Sequence, residues 1–186
     1  MAEAIKVFAI CGSLRKGSYN RMALKVAAEN LPPDMTLDQY DRLAEIPPYN
    51  EDVRQQGFPP IIEDLRRRIK AADGLLFVTP EYNYSVPGVL KNAIDWASRP
   101  PDQPFAGKPV AMMGASMGGF GSGRAQYHLR QTCVYLDMVP LNKPEVMIPQ
   151  AHDKFDVQGH LKDAASLKFI QDLMVALAAW TRRLKA

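Results

Sequence analysis

Gly12-Ser13-Leu14-Arg15-Lys16-Gly17-Ser18-Tyr19-Asn20 decides the fold, because it joins an apolar run at residues 5–11 to an amphipathic run at residues 21–31. That is the pattern of a strand, a turn and a helix. Ile5-Lys6-Val7-Phe8-Ala9-Ile10-Cys11 is almost continuously apolar, as expected of a strand covered on both faces and so of a parallel sheet. Asn20 is placed to cap the helix, which carries Met22, Ala23, Val26, Ala27 and Leu31 at helical spacing and stops at Pro32-Pro33. The turn has two glycines for tight geometry, hydroxyl and amide side chains for hydrogen bonds, and Arg15 and Lys16 for positive charge. Set against the free N–H groups and positive dipole end of the helix, this composition makes a phosphate cradle.

Working outward, residues 35–40 alternate apolar with polar and read as an edge strand, and residues 46–60 form a long Pro-rich connection. Residues 61–72 read as a basic-faced helix. Gly74-Leu75-Leu76-Phe77-Val78-Thr79 is the strongest buried strand, and it ends abruptly at Pro80-Glu81-Tyr82-Asn83-Tyr84-Ser85-Val86-Pro87. Pro87 fits the first turn of a helix reaching about residue 98. A fourth strand at 109–114 leads into a second glycine-rich turn at 115–123, then a helix at 124–136, a fifth strand at 145–148 and a last helix at 161–184. Strands alternating with helices imply an α/β, doubly wound parallel sheet. Such sheets bind ligands beyond the carboxyl ends of their strands, where the three loops would converge.

Composition narrows the function. The 186 residues are 47% apolar and 23% charged, which fits one domain spanning residues 1–186 with a sizeable core. A net charge of +3 from 23 basic and 20 acidic residues is too balanced for a dedicated nucleic-acid surface and mildly favours anionic ligands. The sequence shows neither a signal-type apolar core nor an apolar run long enough to span a membrane, so a cytoplasmic protein with no membrane partner is expected. Cys11 and Cys133 have no CxxC or metal-ligand spacing and read as buried free thiols. His152, Asp153, Asp156 and His160 lie in a polar connection without cysteine, and no metal site is expected there.

Spacing separates the phosphate motifs that compete for the first turn. A dinucleotide fingerprint, GxGxxG, fails because Ser13-Leu14 follow Gly12 and the next glycine is Gly17. A Walker A loop has its two glycines at Gly12 and Gly17, but Ser18-Tyr19 stand where Lys and Ser or Thr are needed. A Cys-x5-Arg phosphatase loop would pair Cys11 with an arginine at position 17, which is glycine. What survives is a hydroxyl-rich loop suited to holding one terminal phosphate without cleaving it, as flavin mononucleotide (FMN) requires, with an ordinary polar turn as the alternative reading. The second loop supplies rigid backbone with Tyr and Asn groups for the edge of a flat ring, and Ser116, Gly118 and Gly119 in the third allow close backbone approach.

Gly12-Ser13-Leu14-Arg15 with Ser18-Tyr19-Asn20, then Pro80-Glu81-Tyr82-Asn83 with Pro87-Gly88-Val89-Leu90-Lys91-Asn92-Ala93-Ile94-Asp95-Trp96, resembles the NADPH-dependent FMN reductase family, nearest in pattern to its bacterial quinone and chromate reductases. The resemblance runs from about residue 5 to residue 148. It implies a flavodoxin-like three-layer sandwich with a five-stranded parallel sheet in the order 2-1-3-4-5. It also implies noncovalent FMN, with Ser13, Arg15, Ser18, Tyr19 and Asn20 at the phosphate. Pro80, Glu81, Tyr82, Asn83 and Tyr84 would border the isoalloxazine, and Ser116 and Gly119 would lie along its other edge.

The reaction so implied carries two electrons from NADPH or NADH through FMN to a small-molecule acceptor: a quinone, chromate, an azo compound or free flavin. No acid–base side chain is expected, because the flavin carries the chemistry. The rival from another class is a flavodoxin-type electron carrier with no substrate of its own. Such carriers are usually strongly acidic, unlike this chain. A flavin-free binding module would require all three loops to be coincidence. The resemblance further implies homodimers or homotetramers with contacts bordering the flavin; Arg124, Tyr127 and His128 on one helix, with Glu145 as a candidate partner, are the residues to watch.

Overall fold

A computed structural model describes residues 4–185. The chain forms β1 (Ile5–Cys11), α1 (Tyr19–Glu29), β2 (Met35–Tyr40), α2 (Glu51–Gln55), α3 (Pro60–Ala71), β3 (Gly74–Val78) and α4 (Gly88–Ala97). It continues through β4 (Pro109–Ala115), α5 (Gly123–Tyr135), β5 (Val139–Pro140), β6 (Val146–Ile148), α6 (Ala151–Lys154) and α7 (Ala164–Lys185). The strands pair in parallel in the order β2-β1-β3-β4-β5, with β6 also on β4.

The sheet is buried on both faces because its central strands alternate between two cores. Val7, Ala9 and Cys11 of β1, Leu76 and Val78 of β3, and Ala111, Met113 and Ala115 of β4 pack on one side, under α1 and α7. Phe8, Ile10, Leu75, Phe77, Val110 and Met112 pack on the other, under α3, α4 and α5. A period of two with both faces apolar is what makes these strands read as continuous apolar runs.

Two details differ from the sequence expectation. The fifth strand is divided: β5 pairs with the start of β4 at Pro109 and Val110, β6 with its end at Met113, Gly114 and Ala115. Pro140 ends β5 and Pro144 lies between the halves, and neither has an N–H to continue a ladder. The Pro-rich connection at 46–60 contains α2, whose cap Asn50 accepts from Asp52 N–H at 2.8 Å. This connection is fastened to α4 of its own chain. The Pro47 carbonyl accepts from Asn92 Nδ2 and Trp96 Nε1, both at 2.8 Å, and Tyr49 stands edge-on to Trp96 at 4.9 Å.

Register places the site. Cys11 pairs with Val78, Val78 with Met113, and Met113 with Val146, so β1, β3 and β4 end together and their following loops meet. No described helix is long and apolar enough to cross a membrane.

Candidate active site

Three loops enclose a cleft of about 330 Å³ at the carboxyl edge of the sheet. It is lined by Ser13, Arg15, Ser18, Tyr19 and Asn20 from the first loop and the start of α1, by Pro80, Glu81 and Tyr82 from the second, and by Ala115, Ser116, Met117 and Gly118 from the third. Of the residues expected at the site, Asn83, Tyr84 and Gly119 do not line it. Gly118, expected to allow close backbone approach, does line it; Ala115 and Met117 were not singled out as contacts, although both fall within the glycine-rich segment at 115–123.

The first loop has the chemistry of an anion site. From Leu14 to Gly17 no backbone N–H donates to a backbone carbonyl, so these groups are available to a ligand. Ser18, not Asn20, is the cap of α1: its hydroxyl accepts from Asn20 N–H at 3.2 Å. The correction has a physical cause. Asn20 is buried inside the first helical turn, where its amide faces the end of β4, donating to the Ala115 carbonyl and accepting from Ala115 N–H, each at 2.9 Å. Arg15 and Lys16 are exposed, and the first turn of α1 carries no acidic residue to oppose an anion. Gly12 lets this loop meet the second: a Cβ there would come within 3.2 Å of Leu90 and 3.3 Å of Pro80.

Beneath the loop, Cys11 is no nucleophile. Burial pushes its thiol up, and the Ser13 N–H and the charge of Arg21 offset this only in part.

The second loop is a tight reversal. Tyr82 and Ser85 exchange backbone hydrogen bonds of 3.1 and 3.0 Å, and Asn83 and Tyr84 between them have φ of 49° and 68°. Two consecutive left-handed residues make a primed turn, which carries Asn83 and Tyr84 to its exposed tip, outside the lining of the cleft. In the third loop, Ser116 N–H donates to the Ile148 carbonyl at 3.0 Å and Ala151 N–H to the Ser116 carbonyl at 2.9 Å, so β6 and α6 hold it in place.

Tyr127 donates to Glu145 at 2.8 Å, the hydrogen bond holding Glu145 below the usual carboxylate range. Arg124 instead pairs with Glu81, and His128 with Ser85. His160 meets Asp156 at 3.1 Å and His152 meets Asp153 at 3.5 Å. Among the described residues no three His, Cys, Asp or Glu side chains gather as a metal site.

The family description "NADPH-dependent FMN reductase" matches residues 5–153, which include all three loops. The chain belongs to the NADPH-dependent FMN reductase family. Its cofactor is FMN and its electron donor NAD(P)H. The residues present fit that cofactor: a row of free N–H groups, serine hydroxyls and a guanidinium suits a terminal phosphate, and the glycine-rich third loop leaves room beside it for a flat ring.

The chain is 60% identical over 185 residues to an NAD(P)H-dependent FMN reductase of Pseudomonas aeruginosa, with all of both chains covered. It is 46% identical over 187 residues to a quinone reductase of Escherichia coli, again over the whole of both. Among solved structures it superposes on FerB, a flavoenzyme NAD(P)H:(acceptor) oxidoreductase from Paracoccus denitrificans, with a TM-score of 0.87 and 34% identity, covering 97% of this chain and 98% of that one.

Proposed function

We propose that the protein is an NAD(P)H-dependent quinone reductase, in which electron donor and acceptor use one open face of FMN in turn. The observation that carries this reading is the single cleft in which Arg15, Ser18, Tyr82 and Ser116, from three separate loops, come together at the carboxyl edge of the sheet. The two-electron chemistry is that of the bound FMN. Ser13, Arg15, Ser18 and Tyr19 bind its phosphate, and Asn20 braces the start of α1 against β4. Pro80, Glu81 and Tyr82 border one edge of the ring and Ser116 the other, while Asn83, Tyr84 and Gly119 stand at the outer rim.

The acceptor class follows from the rim. Tyr82, Tyr84, Met117 and Phe120 are all more than half exposed around the opening, an apolar surface suited to a planar molecule such as a quinone. Chromate, azo compounds and free flavin are further acceptors of the same exposed ring. The exposed Tyr127, Val134 and Tyr135 on α5 support assembly into a homodimer or homotetramer, and a cytoplasmic location suits a nicotinamide donor. The test is NAD(P)H consumption by the FMN-loaded protein with a small naphthoquinone. Turnover with the quinone supports the reading; oxidation of NAD(P)H only when a separate reductase is added would replace it with an electron carrier.

A further inference from the structure

The second loop is strapped to the beginning of α5. Glu81 Oε2 accepts from the backbone N–H groups of Arg124 at 2.9 Å and Ala125 at 3.2 Å, and Oε1 accepts from the Arg124 guanidinium at 3.0 Å. The far end of the loop is tied one helical turn later, where Ser85 Oγ lies 3.0 Å from His128 Nδ1. The Arg124 guanidinium also covers two aromatic rings, 3.8 Å from the centre of Tyr84 and 3.7 Å from that of Phe120. Tyr84 belongs to the second loop and Phe120 to the third.

A single side chain therefore joins the two loops that flank the cleft. The Glu81 side chain is only 12% exposed and that of Arg124 29%, so the pair is shielded from water and its charges act at close range. A carboxylate at a helix N-terminus is also favoured by the helix dipole, which holds Glu81 where Arg124 can reach it. The planar guanidinium meets the carboxylate edge-on while stacking on aromatic faces, a combination lysine does not offer.

We propose that Arg124, anchored by Glu81, is a positioning residue that fixes the second and third loops against the flavin ring and balances the charge beside it. The proposal rests on the reading of the cleft as the FMN site. Glu81 contributes through Arg124 and the α5 terminus rather than as an acid or base.

The test compares E81Q, R124Q, R124K and the double variant E81Q/R124Q as FMN-loaded proteins, measuring FMN affinity by fluorescence and the midpoint potential of the bound flavin by equilibration with a reference dye. Each single glutamine variant is expected to weaken FMN by roughly tenfold, the equivalent of one charge-assisted hydrogen bond. Affinity in R124K lies between wild type and R124Q. The potentials move in opposite directions. E81Q leaves an unbalanced cation that favours the more negative reduced flavin and raises the midpoint; R124Q leaves an unbalanced carboxylate and lowers it. The double variant returns the midpoint toward wild type while affinity stays low.

Loss of a purely mechanical tie would move both potentials the same way, and that result, or wild-type affinity and potential in both single variants, overturns the proposal. R15A separates the two levels. If R15A weakens FMN while E81Q and R124Q do not, the clasp alone fails; if R15A also has no effect, the cleft is not the FMN site.

Discussion

Asn20 and Ala115 are 95 residues apart and exchange two hydrogen bonds of 2.9 Å, the amide of the first closing a ring with the backbone of the second. The pair fixes the start of α1 against the end of β4, and so sets the distance between the first and third loops. Asn20→Ala removes both bonds and leaves buried Ala115 without those partners. A loss of about 2–3 kcal/mol is expected in urea unfolding of the apo-protein, because buried polar groups are left unsatisfied. FMN affinity falls as well. A stability change under about 0.5 kcal/mol, the range of an ordinary surface substitution, would show that the ring does not brace the site.

Arg15→Ala removes the guanidinium from the phosphate loop while leaving Ser13, Ser18 and the free N–H groups in place. FMN binding should weaken by about 1.5 kcal/mol or more, the typical contribution of a hydrogen bond to a charged group. Titration of the apo-protein with FMN at two salt concentrations checks it. The wild type should lose more affinity with added salt than the variant does.

Gly114→Ala tests the packing under the site. A Cβ there would overlap the Ser122 hydroxyl and the Thr79 carbonyl oxygen; the second is backbone, and the first is buried and accepts from Gln126 Nε2 at 3.1 Å. Unfolding should show a loss of about 3 kcal/mol from overpacking. Gly119→Ala is the control: its Cβ would meet nothing within 4 Å, and apo-protein stability should stay within about 0.5 kcal/mol of wild type.

Alkaline stability should depend on Cys133. Burial raises its thiol from an ordinary 9.0 to about 12, so above pH 9 the unfolded chain releases a proton that the folded chain retains. That stability is complete below pH 9.0 and is lost as pH rises toward 12. Between about pH 8 and about pH 10.5 the wild type should lose roughly 2 kcal/mol more than Cys133→Ala, from about 1.5 pKa units at 1.36 kcal/mol each. Tyr40, raised to about 12 chiefly by burial and then by the charge of Asp64, acts in the same direction in both proteins at the upper end of that range. Equal pH slopes in wild type and Cys133→Ala would contradict the assignment.

What was legible in the sequence was local. The apolar runs at Ile5, Gly74 and Pro109 announced buried parallel strands because both their faces are covered, and the loops after them announced the cleft because strand ends in such sheets align. The helix cap was misplaced by two residues, since both Ser18 and Asn20 are good caps and only the position of Ala115 decides which side chain is called elsewhere. The short helix at Glu51–Gln55 was hidden by the prolines around it, although Asn50 followed by two acidic residues is a capping signal. The tie between Glu81 and Arg124 spans 43 residues and depends on how β3 and β4 neighbour one another, a tertiary relation with no local periodicity behind it.

The most direct test of the account is an anaerobic visible spectrum of the FMN-loaded protein through one redox cycle. NADPH or NADH should bleach the flavin bands at one FMN per chain, and a stoichiometric quinone should restore them. Bands that persist after both nucleotides, or a bleached flavin that the quinone leaves unchanged, would contradict a quinone reductase built on this cleft.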